Sequence, residues 1–180
     1  MFKLLTMTIK GQMWYSDFIL AVTIFTLVLV LSFKYITTDY FISGQDTNIV
    51  LSDVTRLSET LLTPGIPHNW TEDYVVMIGV TSNNILNSTK IDMLKNMSIN
   101  NYAQVKSTLG LKSDFLLYFE NNTGHEINIT NQTYIGKPGL TKQDVQTLAP
   151  DNVITVNRYS VYKHDNISEI VGMKVMAWLE

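Results

Sequence analysis

Of the residue types that carry chemistry, the 180-residue sequence holds three histidines, 16 acidic residues and no cysteine. Thiol nucleophiles and thiolate metal sites are therefore excluded. His68, His125 and His164 stand far apart, each in a segment rich in turn formers. A metal-binding pair wants a spacing that sets two imidazoles on one face, such as His-x-x-x-His, and none occurs. Glu72 and Asp73 are adjacent acids, but neighbours on an extended chain point to opposite sides, so they read as solvated charge. There is no Gly-x-Ser-x-Gly elbow and no phosphate loop ending in Gly-Lys-Ser/Thr. The expectation is a chain that is not an enzyme and uses no cofactor and no metal.

The one reactive pattern that recurs is Asn-x-Ser/Thr, the acceptor triplet for N-linked glycans. It begins at Asn69, Asn87, Asn96, Asn121, Asn128, Asn131 and Asn166. With 15 Asn and 32 Ser plus Thr, chance placement gives about three such triplets. Two explanations stand: these positions are acceptors, or Asn, Ser and Thr crowd together in turns. If they are acceptors, this part of the chain faces a compartment where oligosaccharide is transferred to protein. Small exported domains of eukaryotic secretory pathways are often stapled by disulfides. A glycosylated domain without cysteine fits a prokaryotic surface, and an archaeal one best.

All seven triplets follow an apolar run. From Phe18 to Phe33 there are 16 residues with no charge, Pro, Gly, Asn or Gln. As a helix the run covers roughly 24 Å, against about 30 Å for a bilayer's hydrocarbon core. The gap closes if Lys34 reaches outward and Trp14, Tyr15, Tyr35 and Ile36 sit at the two interfaces. A buried core helix is the competing assignment, disfavoured because no face of the run is polar. Lys3 and Lys10 precede the run, and Lys34 is followed by Asp39, Asp46 and Asp53. The positive-inside rule then places the N-terminus in the cytoplasm and the rest outside. After residue 34 there are ten basic and 15 acidic residues, a balance that argues against nucleic acid and against a polybasic membrane patch.

Nothing resembling an Ala-x-Ala cleavage site follows Phe33. An uncleaved signal anchor is compatible with this. The segment MFKLLTMTIKGQMWYSDF, however, resembles the class III leader of type IV pilin-like proteins, in particular the archaeal form. The resemblance covers about 25 residues. It implies that a prepilin peptidase cuts on the cytoplasmic side after Lys10-Gly11, leaving Gln12 as the first residue of a mature chain that keeps its apolar helix. It further implies assembly with other pilin-like subunits through that helix. Many members carry a carboxylate five residues into the mature chain; here that position is Ser16, and Asp17 follows. Asp17 is thus an assembly candidate by resemblance and, equally, an interfacial residue near the cytoplasmic face.

The elements beyond the run follow from periodicity and punctuation. Val50, Val54, Leu57 and Leu61 form one stripe of an amphipathic helix, with Asp53, Arg56 and Glu59 expected on its other side. Gly44 leaves open whether this helix continues the apolar one. The helix must stop at Thr63-Pro64-Gly65-Ile66-Pro67, where Trp70 is expected to cap a stiff corner by packing. YVVMIGV reads as a buried strand ending at an Asn83-Asn84 turn. STKIDMLKNM and NNYAQVKSTLG have helical spacing, and Gly110 ends the second. DFLLYFE reads as a strand, NNTGHE as a turn into INIT, and Thr141 with Asp144 as a helix start. VITVNRYSVYK and SEIVGMKVMAWL suggest a terminal hairpin.

The expected organisation is a leader over 1–11, an assembly or membrane helix over 12–36, an amphipathic helix over 37–63 and an extracellular domain over 64–180. The expected fold class is α+β, with helices packed on an antiparallel sheet in a pilin-like arrangement. The expected function is a structural subunit of a surface filament or pseudopilus. The alternative is a signal-anchored surface adhesin or binding domain that never polymerises. About ten residues before the membrane leave no room for a signalling output domain.

Overall fold

A computed structural model describes residues 9–148, 153–164 and 167–179, with side chains described over 14–35 and from 46 onward. Helix α1 runs Ile9–Leu61, 53 residues, and its backbone stays helical through Gly44. The chain divides into two compact units, residues 1–45 and 46–180.

In the first unit, Trp14–Tyr35 form a 22-residue helical stretch long and apolar enough to cross a membrane. None of these side chains is buried by the chain itself. Thr23 and Thr26 donate their hydroxyls at 2.8 Å to the carbonyls of Ile19 and Val22. Both polar groups are thereby satisfied inside the helix, which an apolar surrounding demands.

The second unit is built around the C-terminal part of α1. Val50, Val54, Leu57 and Leu61 are all buried, as their spacing requires. Asp53 departs from the expectation: it is only 6% exposed. Its carboxylate is fully used by hydrogen bonds, which removes the penalty that would otherwise keep it at the surface. Helix α1 ends before Pro64, and its last carbonyls find partners across the corner. Val80 N donates to Leu61 O at 2.8 Å and Thr81 N to Thr63 O at 3.2 Å, while the Thr81 hydroxyl donates to Leu62 O at 3.1 Å.

Those bonds also explain a correction. In the 74–80 segment Ile78 and Val80 are buried but Tyr74 and Val76 are exposed, and it makes only isolated bridges, Tyr74 with Thr71 and Met77 with Ile66, before a two-residue strand β1, Thr81–Ser82. Its backbone is spent on the end of α1 and on the corner, so little is left for a ladder. The approach is close: a Cβ on Gly79 would lie 2.2 Å from Thr63 O. Trp70, 1% exposed, seals the corner and donates Nε1–H to Gly79 O at 2.9 Å. The Ile66–Pro67 peptide is cis.

Asn83 and Asn84 both take positive φ, 53° and 63°, and turn β1 into β2, Ile85–Leu86. Helix α2, Ser88–Leu109, has one non-helical residue, Asn101. It lies between the two helical spacings read from sequence. The Asn101 Oδ1 accepts from Gln104 N at 3.2 Å and so caps the second half. Gly110, at φ 64°, closes α2 in the left-handed conformation. Then follow β3, Asp114–Glu120, β4, Glu126–Ile127, and β5, Ile135–Gly136. Helix α3, Lys142–Leu148, starts from a Thr141–Asp144 capping pair. Strands β6, Ile154–His164, and β7, Ile167–Trp178, form the expected hairpin.

The sheet order is β1-β2-β6-β7-β3-β4, with β5 also on β3. Every pair is antiparallel except β2 and β6, which run parallel with Ile85 beside Val161. The sheet is therefore mixed, which corrects the antiparallel expectation. A two-residue strand such as β2 carries no periodicity, so sequence could not reveal its pairing. Phe115, Leu117 and Phe119 of β3 join Val171, Met173, Val175 and Ala177 of β7 against α1 and α2. Leu116, Tyr118, Met176 and Trp178 face the other way, with Val145 of α3. Cover on both sides is why DFLLYFE is a continuous apolar run and not an alternating one.

Candidate functional site

Lys10, Gly11 and Gln12 have helical backbone, within α1. Asp17 and Ser16 are both exposed on the helix. Adjacent residues on a helix differ by about 100° in direction and about 1.5 Å in height. A carboxylate at Asp17 therefore faces a different neighbour from one placed at Ser16.

Most of the glycan triplets sit on the second unit's surface. Asn69, Asn96, Asn128 and Asn131 are exposed, while Asn87 and Asn121 are half-buried. Asn166 lies outside the described residues. The described triplets are spread over the corner, α2 and the loops around β4, and do not converge on one place.

Sequence reasoning missed three buried charge clusters in the second unit. Lys90, 5% exposed, points its ammonium at three backbone carbonyls, Pro64 O at 2.6 Å, His68 O at 2.8 Å and Thr81 O at 2.9 Å. It thereby ties α2 to both arms of the corner. Burial pushes this lysine below its ordinary value. Asp53 binds the α2–β3 junction: its Oδ2 accepts from Lys112 N at 2.7 Å, Ser113 N at 2.9 Å and the Ser113 hydroxyl at 3.0 Å. Asp114 accepts from Lys106 Nζ at 2.6 Å, the Tyr102 hydroxyl at 3.2 Å and Lys137 Nζ at 2.7 Å. None of the three stands alone in an apolar run: Asp53 follows Ser52, Lys90 has Asp92 beside it and Asp114 follows Lys112-Ser113, so the sequence carried no local signal of their burial.

Burial alone would raise Asp114, but hydrogen bonds and charge from Lys106 and Lys137 outweigh it and hold the carboxyl below its ordinary 3.8. A carboxyl depressed in the folded chain contributes stability above its unfolded value and loses it as pH falls through the folded one. The stability gap between wild type and Asp114→Asn is thus expected to be largest near neutrality and to shrink below pH 3.8. Thermal melts across the acid range check this; a gap independent of pH would contradict it.

A second polar group, Glu120, accepts from Lys174 at 3.3 Å and lies 3.6 Å from Lys142. Nearby, burial and the Glu126 carboxylate push the Tyr134 phenol up to about 12. Between α2 and the 132–141 segment lies an open cavity of 490 Å³, lined by Lys95, Ile99, Tyr134, Lys137 and Leu140 among others. Both of its lysines are already paired, with Asp92 and Asp114. The three histidines are exposed and lie on different segments. Among the described residues no group of three His, Asp or Glu converges as a metal site would need.

What fold and site define is an α+β domain with a mixed sheet, on a chain whose N-terminal helix can cross a membrane. No family model, no curated protein and no solved structure matches the chain.

Proposed function

We propose that the protein is a membrane-anchored structural subunit of a pilin-like surface assembly. Its leader is cut between Gly11 and Gln12 by a prepilin peptidase, its N-terminus faces the cytoplasm, and the 46–180 unit faces outside. One observation carries this reading: every side chain from Trp14 to Tyr35 is exposed, on a stretch apolar enough to cross a membrane. Twenty-two helical residues span about 33 Å, close to a hydrocarbon core. Such a surface must be covered by lipid, by neighbouring helices, or by each in turn. The resemblance of the Lys10-Gly11-Gln12 segment adds the processing step. Exposed Tyr159, Val161 and Ile170, on one face of the β6–β7 hairpin, offer a lateral contact between subunits. No enzymatic role is assigned.

A non-polymerising anchored adhesin is the second reading, favoured by Ser16 standing where an assembly carboxylate is expected. Intact mass of the membrane-extracted chain tests the first. The expected species begins at Gln12, and Gly11→Leu is expected to leave the leader attached. A wild-type chain that retains Met1 would remove the pilin-type reading. Processed chains that never cross-link to one another in the membrane would favour the adhesin.

A further inference from the structure

The folded domain does not offer its glycan triplets equally. A transferase must reach the Asn amide nitrogen, the residue after it and the Ser/Thr hydroxyl two residues on, so the whole triplet has to be presented by a surface segment. At Asn87 the amide is already spent. Its Oδ1 accepts from Lys90 N at 3.2 Å as the cap of α2, and its Nδ2 donates to the Ser82 hydroxyl at 3.0 Å. A glycan there replaces one of the two Nδ2 hydrogens and crowds both bonds. Asn96 lies inside α2 and its partner Ser98 is 1% exposed, with the hydroxyl bonded to Leu94 O. The hydroxyl partner of Asn128 is Thr130, 8% exposed. Asn69 is exposed, but the centre of its triplet is the buried Trp70. Asn131 is exposed, but its Thr133 hydroxyl is donated outside its own triplet, to Asn128 Oδ1 at 2.8 Å, and Thr133 is itself half-buried.

Asn121 is different. It opens the β3–β4 turn, where Asn122 and Thr123 are both exposed. Its Oδ1 accepts from Thr123 N at 3.0 Å, the Thr123 hydroxyl at 2.7 Å and His125 N at 2.9 Å. These bonds fix the side chain with its oxygen turned into the loop, and no described group accepts from its Nδ2. Three donors on the oxygen also draw electron density from the amide and make its N–H more acidic. The same loop is open at Gly124, where a built Cβ would meet nothing within 4 Å.

We propose that, among the triplets whose asparagine is described, Asn121 is the principal glycan acceptor, with Thr123 as its positioning residue. The inference rests on the 46–180 unit facing outside. In the transfer, Nδ2 forms a bond to the anomeric carbon of a glycan carried on a polyprenyl phosphate or diphosphate. The carbon–oxygen bond to phosphate breaks, the phosphate leaves with the electron pair, and the displaced amide proton goes to a base of the transferase.

Glycopeptide mass spectrometry of the full chain from its native membrane tests this. Most of the glycan is expected on Asn121, with Asn87, Asn96 and Asn128 bare. Asn121→Gln is expected to lose that mass, and so is Thr123→Val, although it keeps the asparagine. More glycan on Asn69, Asn87, Asn96, Asn128 or Asn131 than on Asn121, unchanged occupancy in Thr123→Val, or no glycan at all would overturn the assignment. A separate readout protects the topology. The chain has no cysteine, so Lys163→Cys, on the exposed hairpin, can be labelled on intact cells with a membrane-impermeant maleimide. Labelling without glycan overturns the glycan assignment alone; no labelling overturns the outward orientation as well.

Discussion

Replacing Lys90 by Met is expected to lower the unfolding free energy of the 46–180 unit by about 3 kcal/mol. Swapping a buried ion for an apolar residue is often neutral, because the desolvation cost of the charge disappears with it. Here the partners decide otherwise. Lys90 holds three backbone carbonyls, of Pro64, His68 and Thr81, and no substitution at position 90 removes them. In Lys90→Met they remain buried against a thioether that cannot donate, so each forfeits its bond while its desolvation persists. The loss falls at one place, the corner where Trp70 and the 75–81 segment close over the end of α1. Urea unfolding of the detergent-solubilised chain is expected to show a lower midpoint with an unchanged slope. Hydrogen exchange is expected to quicken first at the Val76, Val80 and Thr81 amides, which bond across the corner. A change below about 1 kcal/mol would mean that the carbonyls find water, and that the lysine is not what closes the corner.

The corner also shows where sequence stops being informative. The stripe Val50, Val54, Leu57, Leu61, the Asn83-Asn84 turn, the Gly110 stop and the Thr141–Asp144 start are all local devices, each decided by residues within one or two turns of each other. They were legible for that reason. So were β3 and the β6–β7 hairpin, whose length gives a strong pattern. The 74–80 segment misled because an apolar run looks the same from sequence whether its hydrogen bonds go to a ladder or to a helix end, and Tyr74 and Val76 are exposed where a buried strand was expected. Strands β2 and β5, at two residues each, left no pattern to read. The candidate site divides in the same way. Lys10, Gly11, Gln12 and the glycan triplets are short linear motifs, visible at once. Which triplets are presented depends on contacts such as Asn87 with Ser82 and Asn96 within α2, and these exist only in the folded chain.

The two units bear different parts of the proposed function. Processing and anchoring are written in residues 10–35, whose side chains over 14–35 make no core of their own. Display belongs to the 46–180 unit, whose core draws on α1, α2, β3 and β7. A substitution that unfolds the second unit is therefore expected to leave the leader cut intact, and processing alone is no measure of folding.

Asp53→Ala supplies the sharpest instance. It is expected to destabilise the second unit by about 3 kcal/mol, from the loss of a buried charged acceptor. One oxygen, Oδ2, serves Lys112 N, Ser113 N and the Ser113 hydroxyl, and two of those donors belong to the backbone and cannot be designed away. Its other oxygen meets Arg56 at 3.4 Å, and Arg56 in turn donates to Gly110 O, the end of α2. Arg56 is half-exposed, so its share is modest. Asp53→Asn keeps an acceptor for the two amides and is expected to cost about 1 kcal/mol, since a neutral oxygen makes weaker bonds than a carboxylate. Ser113→Ala removes one donor without orphaning the rest and is expected to cost about as little. Combining Asp53→Ala with Ser113→Ala should cost less than the sum of the two, because the hydroxyl's partner is already gone. Strict additivity in denaturant melts would mean that the Ser113 hydroxyl does not depend on Asp53. Near-equality of Ala and Asn at position 53 would mean that water replaces the carboxylate at the α2–β3 junction. Neither outcome fits a side chain that is 6% exposed.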